Sequence, residues 1–262
     1  MVSRPHLSLV PVNGLRGRVR PPSRRLLAVA AALVALAGLA YLAARETPLF
    51  ALRELEVTGA PRGVQEEVRQ AAAPFLGESL VALDRDELRR SLEALPTVRS
   101  LRIDRAFPHS LRIAVVPERP LAVLRRGGDA WLLSERGRVL RRVDRDASVL
   151  RPRIWTAPTT SVEVGETVAA GPVLAALATL RRMPAEFPVR IRTARADGDD
   201  AVLVLAQGTE LRLGKRTTVA LKLEVAASVL ATLDPAERAE LAYLDVTVPE
   251  RPVGATNAQV SG

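Results

Sequence analysis

The sequence contains no cysteine, which excludes a disulfide framework, thiolate metal sites, Cys nucleophiles and redox pairs. Its two histidines, His6 and His109, fall in different parts of the chain and offer no pair to share a metal. Aromatic residues make up 3% of the chain, thin material for stacking on bases or sugars, so nucleic-acid binding loses ground despite a net charge of +9. No G-x-S-x-G elbow is present, and Ser110 beside His109 cannot be aimed as a nucleophile by adjacency alone. The nearest phosphate-loop decoy, Gly208 to Gly214-Lys215-Arg216, has one residue too many between its glycines and Arg where Ser or Thr should hold magnesium. Asp84, Asp86 and Glu87 form a carboxylate cluster, which helix capping and the helix dipole explain without a cation. The expectation is a protein that is not an enzyme, with no cofactor, no metal and no nucleic-acid partner.

What is present is 262 residues, 48% of them hydrophobic, enough to bury the core of one large domain or two small ones. Residues 1–25 hold six arginines (Arg4, Arg16, Arg18, Arg20, Arg24 and Arg25) and no acid. Removing those six from the 38 basic residues leaves 32 against 29 acidic ones, so the charge excess belongs mainly to this arm. Directly after it, Leu26 to Ala44 runs 19 residues without a charge. At ~1.5 Å per residue a helix of that length spans roughly the ~30 Å hydrocarbon core. Arg24 and Arg25 flank the run, and Arg16, Arg18 and Arg20 add to the bias that keeps the N-terminus cytoplasmic and sends the rest outside. Three readings compete with a retained anchor. A cleaved signal peptide would use Gly38 and Ala40 before the cut; a twin-arginine signal would use Ser23-Arg24-Arg25-Leu26-Leu27; a buried Ala-rich helix would lack both caps and a polar face.

From Leu52 the periodicity changes element by element. Leu55 and Val57 alternate with Glu54 and Glu56, a strand ended by Gly59-Ala60-Pro61. Val64, Val68, Ala71 and Ala72 form one helical stripe. Asp84 in the N-cap role, with Glu87 three residues on, opens a second helix that carries Leu88, Leu92 and Leu95. Leu101 and Ile103, then Leu111, Ile113 and Val115, alternate as two strands around the turn at Phe107-Pro108-His109-Ser110. The order is β-α-α-β-β. Gly127-Gly128 reads as a hairpin turn, Trp131-Leu132-Leu133 and Val139-Leu140 as strands, and Pro172 onward as a helix carrying Leu174, Leu177, Ala178 and Leu180. Strands follow at Val189 to Thr193, Ala201 to Ala206 and Glu210 to Leu213. Val219, Leu223, Ala226, Leu230 and Leu233 mark the longest helix after residue 50, Asp234-Pro235 opens a short one, and Tyr243 to Pro249 reads as the last strand.

A single anchor followed at once by a β-α-α-β-β unit resembles a POTRA domain. The run Phe107-Pro108-His109-Ser110-Leu111-Arg112-Ile113-Ala114-Val115, continuing to Glu118-Arg119-Pro120-Leu121-Ala122, resembles the "aromatic-Pro-x-x-Leu-x-Ile-x-Val" and "Glu-Arg-x-Pro-x-Ala" signature of FtsQ/DivIB cell-division proteins, with Pro120 one residue early. Trp131-Leu132-Leu133 leading to Ser134-Glu135-Arg136-Gly137-Arg138-Val139-Leu140 is similar to the family's "Val-Asp-x-x-Gly-x-Val". The resemblance covers about residues 20 to 254.

It implies an α+β protein: one transmembrane helix, a POTRA domain, and a mixed α/β domain with a largely antiparallel sheet. The expected layout is a basic cytoplasmic arm at 1–25, the helix at 26–44, POTRA at 50–120, the β-rich domain at 121–250 and a flexible tail at 251–262. The implied function is a non-catalytic scaffold of the division complex in the cytoplasmic membrane at the septum. It links early and late division proteins and helps control septal peptidoglycan synthesis by binding FtsB/DivIC-like and FtsL-like partners. The family's partner adds a strand at a sheet edge, which the resemblance assigns to Tyr243, Leu244, Asp245, Val246, Thr247 and Val248. Asp245-Val246 is similar to the start of the family's "Asp-Leu-Arg-aromatic", whereas Thr247 and Val248 stand where arginine and an aromatic are usual. At an edge, Val246→Pro should weaken partner capture without unfolding the POTRA domain. The alternative is an exported ligand-binding protein or enzyme released by signal cleavage. A second alternative, a POTRA module of an outer-membrane assembly or secretion system, would need a run of amphipathic barrel strands after it, and this sequence shows no such run.

Overall fold

The computed structural model describes residues 23–46, 48–144 and 150–257. Arg16, Arg18 and Arg20, most of the basic arm and residues 258–262 of the expected tail lie outside the described residues. Arg24 opens helix α1 (Arg24–Glu46), whose 23 residues exceed the uncharged run by a few positions at each end. Leu26, Leu33, Val34, Leu36 and Leu39 point away on several sides and are each more than half exposed, and no α1 residue whose side chain is described enters either hydrophobic core. Among the described residues no helix is long and apolar enough to cross a membrane. The side chains of Ala40 and of positions 43–46 are not among them, so the apolar run of the sequence is not represented whole.

The next unit has the expected order, with β1 (Glu54–Thr58), α2 (Arg62–Ala72), α3 (Arg85–Glu93), β2 (Val98–Ala106) and β3 (Ser110–Pro117). β3 lies in the middle, parallel to β1 and antiparallel to β2. Alternation along β3 sends Leu111, Ile113 and Val115 inward to meet Val68 and Ala72 of α2 and Leu88 and Leu92 of α3, all buried. Gly59 ends β1 at φ +85°, and a Cβ there would sit 2.5 Å from the Val115 carbonyl oxygen, so no larger residue fits without moving backbone.

α3 starts at Asp84, whose Oδ1 accepts from the Asp86 and Glu87 N–H groups at 2.9 and 3.1 Å. These two bonds hold the Asp84 carboxyl below its ordinary pKa. A depressed folded-state pKa gives stability that is complete above the unfolded value and is lost as pH falls through the folded one. We therefore expect Asp84→Ala to lower the melting temperature at neutral pH, and the gap from the parent to close on acidification below the usual aspartate range. A gap that stayed constant down to that pH would contradict the cap.

The second unit holds one nine-stranded sheet in the order β12-β11-β10-β9-β8-β7-β4-β5-β6. The strands are β4 (Pro120–Arg126), β5 (Asp129–Ser134), β6 (Val139–Arg142), β7 (Arg153–Trp155), β8 (Ile191–Asp197), β9 (Asp200–Leu205), β10 (Glu210–Lys215), β11 (Leu241–Asp245) and β12 (Val253–Thr256). Most neighbours run antiparallel, while β4 with β7, β7 with β8 and β10 with β11 are parallel. Helix α4 (Gly171–Leu180) buries Val173, Ala176, Leu177 and Leu180, and α5 (Val219–Thr232) buries Val219, Leu223, Ala226 and Leu230, in the core shared with the sheet. α6 (Pro235–Glu240) begins with a full capping box between Asp234 and Glu237.

β12 corrects the expected layout. Residues 251–262 are not uniformly a tail, because Val253–Thr256 folds back against β11 as a strand. Between the two units the connection is as short as Glu118-Arg119. Arg138, just before β6, reaches across it, with Nη1 donating to the Val98 carbonyl at 3.1 Å and Nη2 to that of Glu93 at 3.3 Å.

Candidate partner-binding edge

The six residues expected to form an open edge lie together but not at an edge. Tyr243, Leu244 and Asp245 belong to β11, which pairs in parallel with β10 through Glu210↔Tyr243 and Leu211↔Leu244. On its other side β11 pairs with β12 through Tyr243↔Ala255 and Asp245↔Val253. Both rows of its backbone groups are therefore engaged, and among the described residues the outermost strand is β12. The chain can double back because residues 246–252 make a compact turn, closed by the Arg251 N–H on the Val248 carbonyl at 3.0 Å.

Five of the six side chains have a local task. Leu244 is buried against the core, and Val246 is 0% exposed while its N–H donates to the Arg212 carbonyl at 2.9 Å. Asp245 Oδ1 accepts from the Thr247 N–H at 2.8 Å, an Asx turn that stops β11. Thr247 packs on Gly214, which has φ +56° and where a Cβ would lie 2.7 Å from the threonine side chain. Tyr243 takes the Arg212 guanidinium over its ring at 4.2 Å, and Glu210 in turn pairs with Arg212 at 3.2 Å and Arg195 at 3.1 Å. This charged ladder is largely solvent-exposed, so each pair adds well under ~1 kcal/mol and mainly orders the surface. Val248 is exposed at the turn.

Beside this outermost strand lies a depression of about 330 Å³ between α5 and β11–β12, lined by Val229, Leu233, Leu241, Pro252, Gly254 and Ala255 among others. Gly254 keeps it open, since a Cβ there would meet Leu241 Cδ1 at 3.2 Å. α5 is held over it from the far end by Lys222, whose buried ammonium donates to the carbonyls of Leu213 and Lys215 at 2.8 and 2.7 Å. Neither β12 nor Lys222 is singled out by sequence pattern. Four residues with a glycine show no alternation, and a lone lysine in an apolar helix carries no spacing signal.

The chemistry-bearing candidates resolve into structure. Asp84 is a helix cap, the Gly208–Lys215 stretch is the β9–β10 hairpin, and the His109 carbonyl accepts the Arg53 N–H at the foot of β1. Among the described residues no group of three or more histidine or acidic side chains is placed to hold a metal.

A β-α-α-β-β unit joined to a nine-stranded, largely antiparallel sheet defines a two-domain α+β protein. Family models narrow it: residues 50–118 match the POTRA domain of FtsQ type, and residues 122–247 match the C-terminal domain of cell division protein FtsQ/DivIB. The chain is 30% identical over 222 residues to the cell division protein FtsQ of Anaeromyxobacter sp. (strain K), covering 82% of this chain and 75% of that one. It is 27% identical over 215 residues to FtsQ of Myxococcus fulvus, covering 78% and 74%, and 26% identical over 242 residues to FtsQ of Streptomyces venezuelae, covering 91% and 87%. The chain belongs to the FtsQ/DivIB family of cell division proteins. β12 lies past the end of the matched C-terminal domain, at the margin of what the family pattern describes.

Proposed function

We propose that this protein is a bitopic, non-catalytic scaffold of the division complex. In this reading α1 anchors it in the cytoplasmic membrane at the septum, with the N-terminus inside and both folded units outside. The 19-residue uncharged run, the arginines before it and the outward-facing leucines of α1 support the anchor. The folded part links early and late division proteins and helps control septal peptidoglycan synthesis, by capturing FtsB/DivIC-like and FtsL-like partners.

The observation that carries the proposal is that β12 is the outermost strand among the described residues and lies next to an apolar depression. Unpaired strand groups give an incoming strand its hydrogen bonds, and an adjacent pocket takes one of its side chains. The partner strand therefore adds to β12 rather than to residues 243–248.

Prolines at two neighbouring positions test this. Successive residues of a strand aim their N–H groups to opposite sides. Of Gly254→Pro and Ala255→Pro, one removes a donor facing the partner and the other a donor facing β11. We expect one variant to lose at least tenfold in affinity for an FtsB/DivIC-like partner, beyond any loss in Gly254→Ala, which adds the same Cβ against Leu241 but keeps the backbone donor. Wild-type affinity in both, measured with the full-length chain in lipid, would sink the strand-addition reading.

A further inference from the structure

The chain re-enters folded structure immediately after α1. Phe50 lies four residues past Glu46, so at about 3.5 Å per residue its Cα is within roughly 14 Å of the helix end. Around Phe50 three loops meet. The Phe50 carbonyl accepts from the Leu80 N–H at 2.8 Å, and its ring meets that of Phe107 edge-on with centroids 6.0 Å apart. The Leu52 carbonyl accepts from the Gly77 N–H at 2.9 Å, and the Arg53 N–H donates to the His109 carbonyl at 2.9 Å. Residues 48–53, 76–80 and 107–109 thus form one end of the POTRA domain, the end to which α1 is tethered.

Each of these loops exposes a large apolar side chain, namely Leu49 at 66%, Leu76 at 45% and Phe107 at 56%. Elsewhere among the described POTRA residues only Val116 does so, at 51%, and it lies six residues along β3 from Ser110, about 20 Å away at ~3.3 Å per residue. The clustering is what needs a cause, since scattered apolar residues on a surface are ordinary. Charges beside the patch, Arg53, Glu54 and Glu78, are of both signs, so a purely electrostatic partner is a poor fit.

We propose that this end of the POTRA domain is a lipid-facing surface. Leu49, Leu76 and Phe107 bury in the headgroup and acyl boundary of the bilayer that α1 crosses, and so set the tilt of the domain on the membrane. The inference rests on the anchor reading of α1. The tether argues for lipid over a protein surface, because it holds the patch within reach of a polar layer that begins where the helix leaves the ~30 Å hydrocarbon core.

The cysteine-free chain allows a direct test. Single-cysteine variants of the full-length chain, Leu76→Cys, Phe107→Cys, Val116→Cys and Leu36→Cys, carry a nitroxide in vesicles of phosphatidylethanolamine and phosphatidylglycerol. Collision rates with dissolved oxygen and with a water-soluble nickel chelate then give depth. The expected result is nickel accessibility several-fold lower at 76 and 107 than at Val116, and lowest at Leu36. Because Phe107 packs on Phe50, the Leu76 label serves as an independent reporter should the Phe107 variant be perturbed. A buried Leu36 label with 76 and 107 as open as Val116 overturns this inference alone and leaves the patch to a protein partner. A Leu36 label open to nickel overturns the anchor and the inference together.

Discussion

Val246→Pro should unfold the end of the sheet and not merely loosen a partner. Val246 is fully buried, and its N–H donates to the Arg212 carbonyl on β10 at 2.9 Å. Proline removes that donor, strands a carbonyl beside the core and forces φ near −65° at a position whose neighbours are fixed by the Asp245–Thr247 turn. A cost of about 3 kcal/mol or more follows, which for a domain of this size lowers the melting temperature by roughly 10 °C. Calorimetry on the full-length chain measures it, and hydrogen exchange should show lost protection in β10 and β11 with little change in β1–β3. The separation is expected because the two units have separate cores. A Val246→Pro variant that kept the parent melting temperature and lost only partner capture would favour residues 243–248 as the partner edge and count against the proposal for β12.

The contrast between Val246 and Ala255 marks where sequence reading succeeds and where it stops. The POTRA order was legible because each element carries its own period: Leu88 and Leu92 are four apart on a capped helix, and Leu111, Ile113 and Val115 alternate, and all five are buried. The helix Val219 to Leu233 was legible for the same reason, ending one residue earlier at Thr232. β7 was not, since the three residues Arg153–Trp155 are too few to show alternation and are held by parallel pairing with distant β4 and β8. β12 was not, because Pro252 and Gly254 carry turn signals that the pairing with β11 overrides. Calling Tyr243 to Val248 an edge required knowing what lay outside it, which is a tertiary fact. The resemblance named residues 243–248 as an outermost strand, whereas the sheet places β11 between β10 and β12.

Arg138→Ala should free the POTRA domain from its fixed angle to the sheet. The guanidinium donates through Nε to the Gly165 carbonyl at 2.8 Å on its own side, and through its two amino groups to Val98, Glu93 and Ala94 at 3.1, 3.3 and 3.5 Å on the other. Glu93 and Ala94 end α3, where unsatisfied carbonyls gather partial negative charge, so one domain's arginine caps the other domain's helix. Charge-assisted bonds of this kind contribute ~1.5–3 kcal/mol each when well formed; the longer two contribute less, and a net coupling of roughly 3 kcal/mol is expected. The junction is otherwise thin, with the Glu118 N–H on the Thr97 carbonyl at 2.8 Å, the Glu135 N–H on that of Arg119 at 2.9 Å, and Arg136 3.8 Å from the buried Glu118 carboxylate. Arg138→Lys keeps the charge but not the fork, so it should fall between parent and alanine. Nitroxides at Arg89→Cys on α3 and Arg181→Cys past α4 report the angle: a narrow distance distribution in the parent, broader in Arg138→Lys and broadest in Arg138→Ala. If all three distributions coincide, Arg138 does not hold the domains. If they broaden in that order, Arg138 is the main brace between the proposed lipid-facing end of the POTRA domain and the proposed partner edge at β12, and loosening it should weaken partner capture in vesicles without touching either surface.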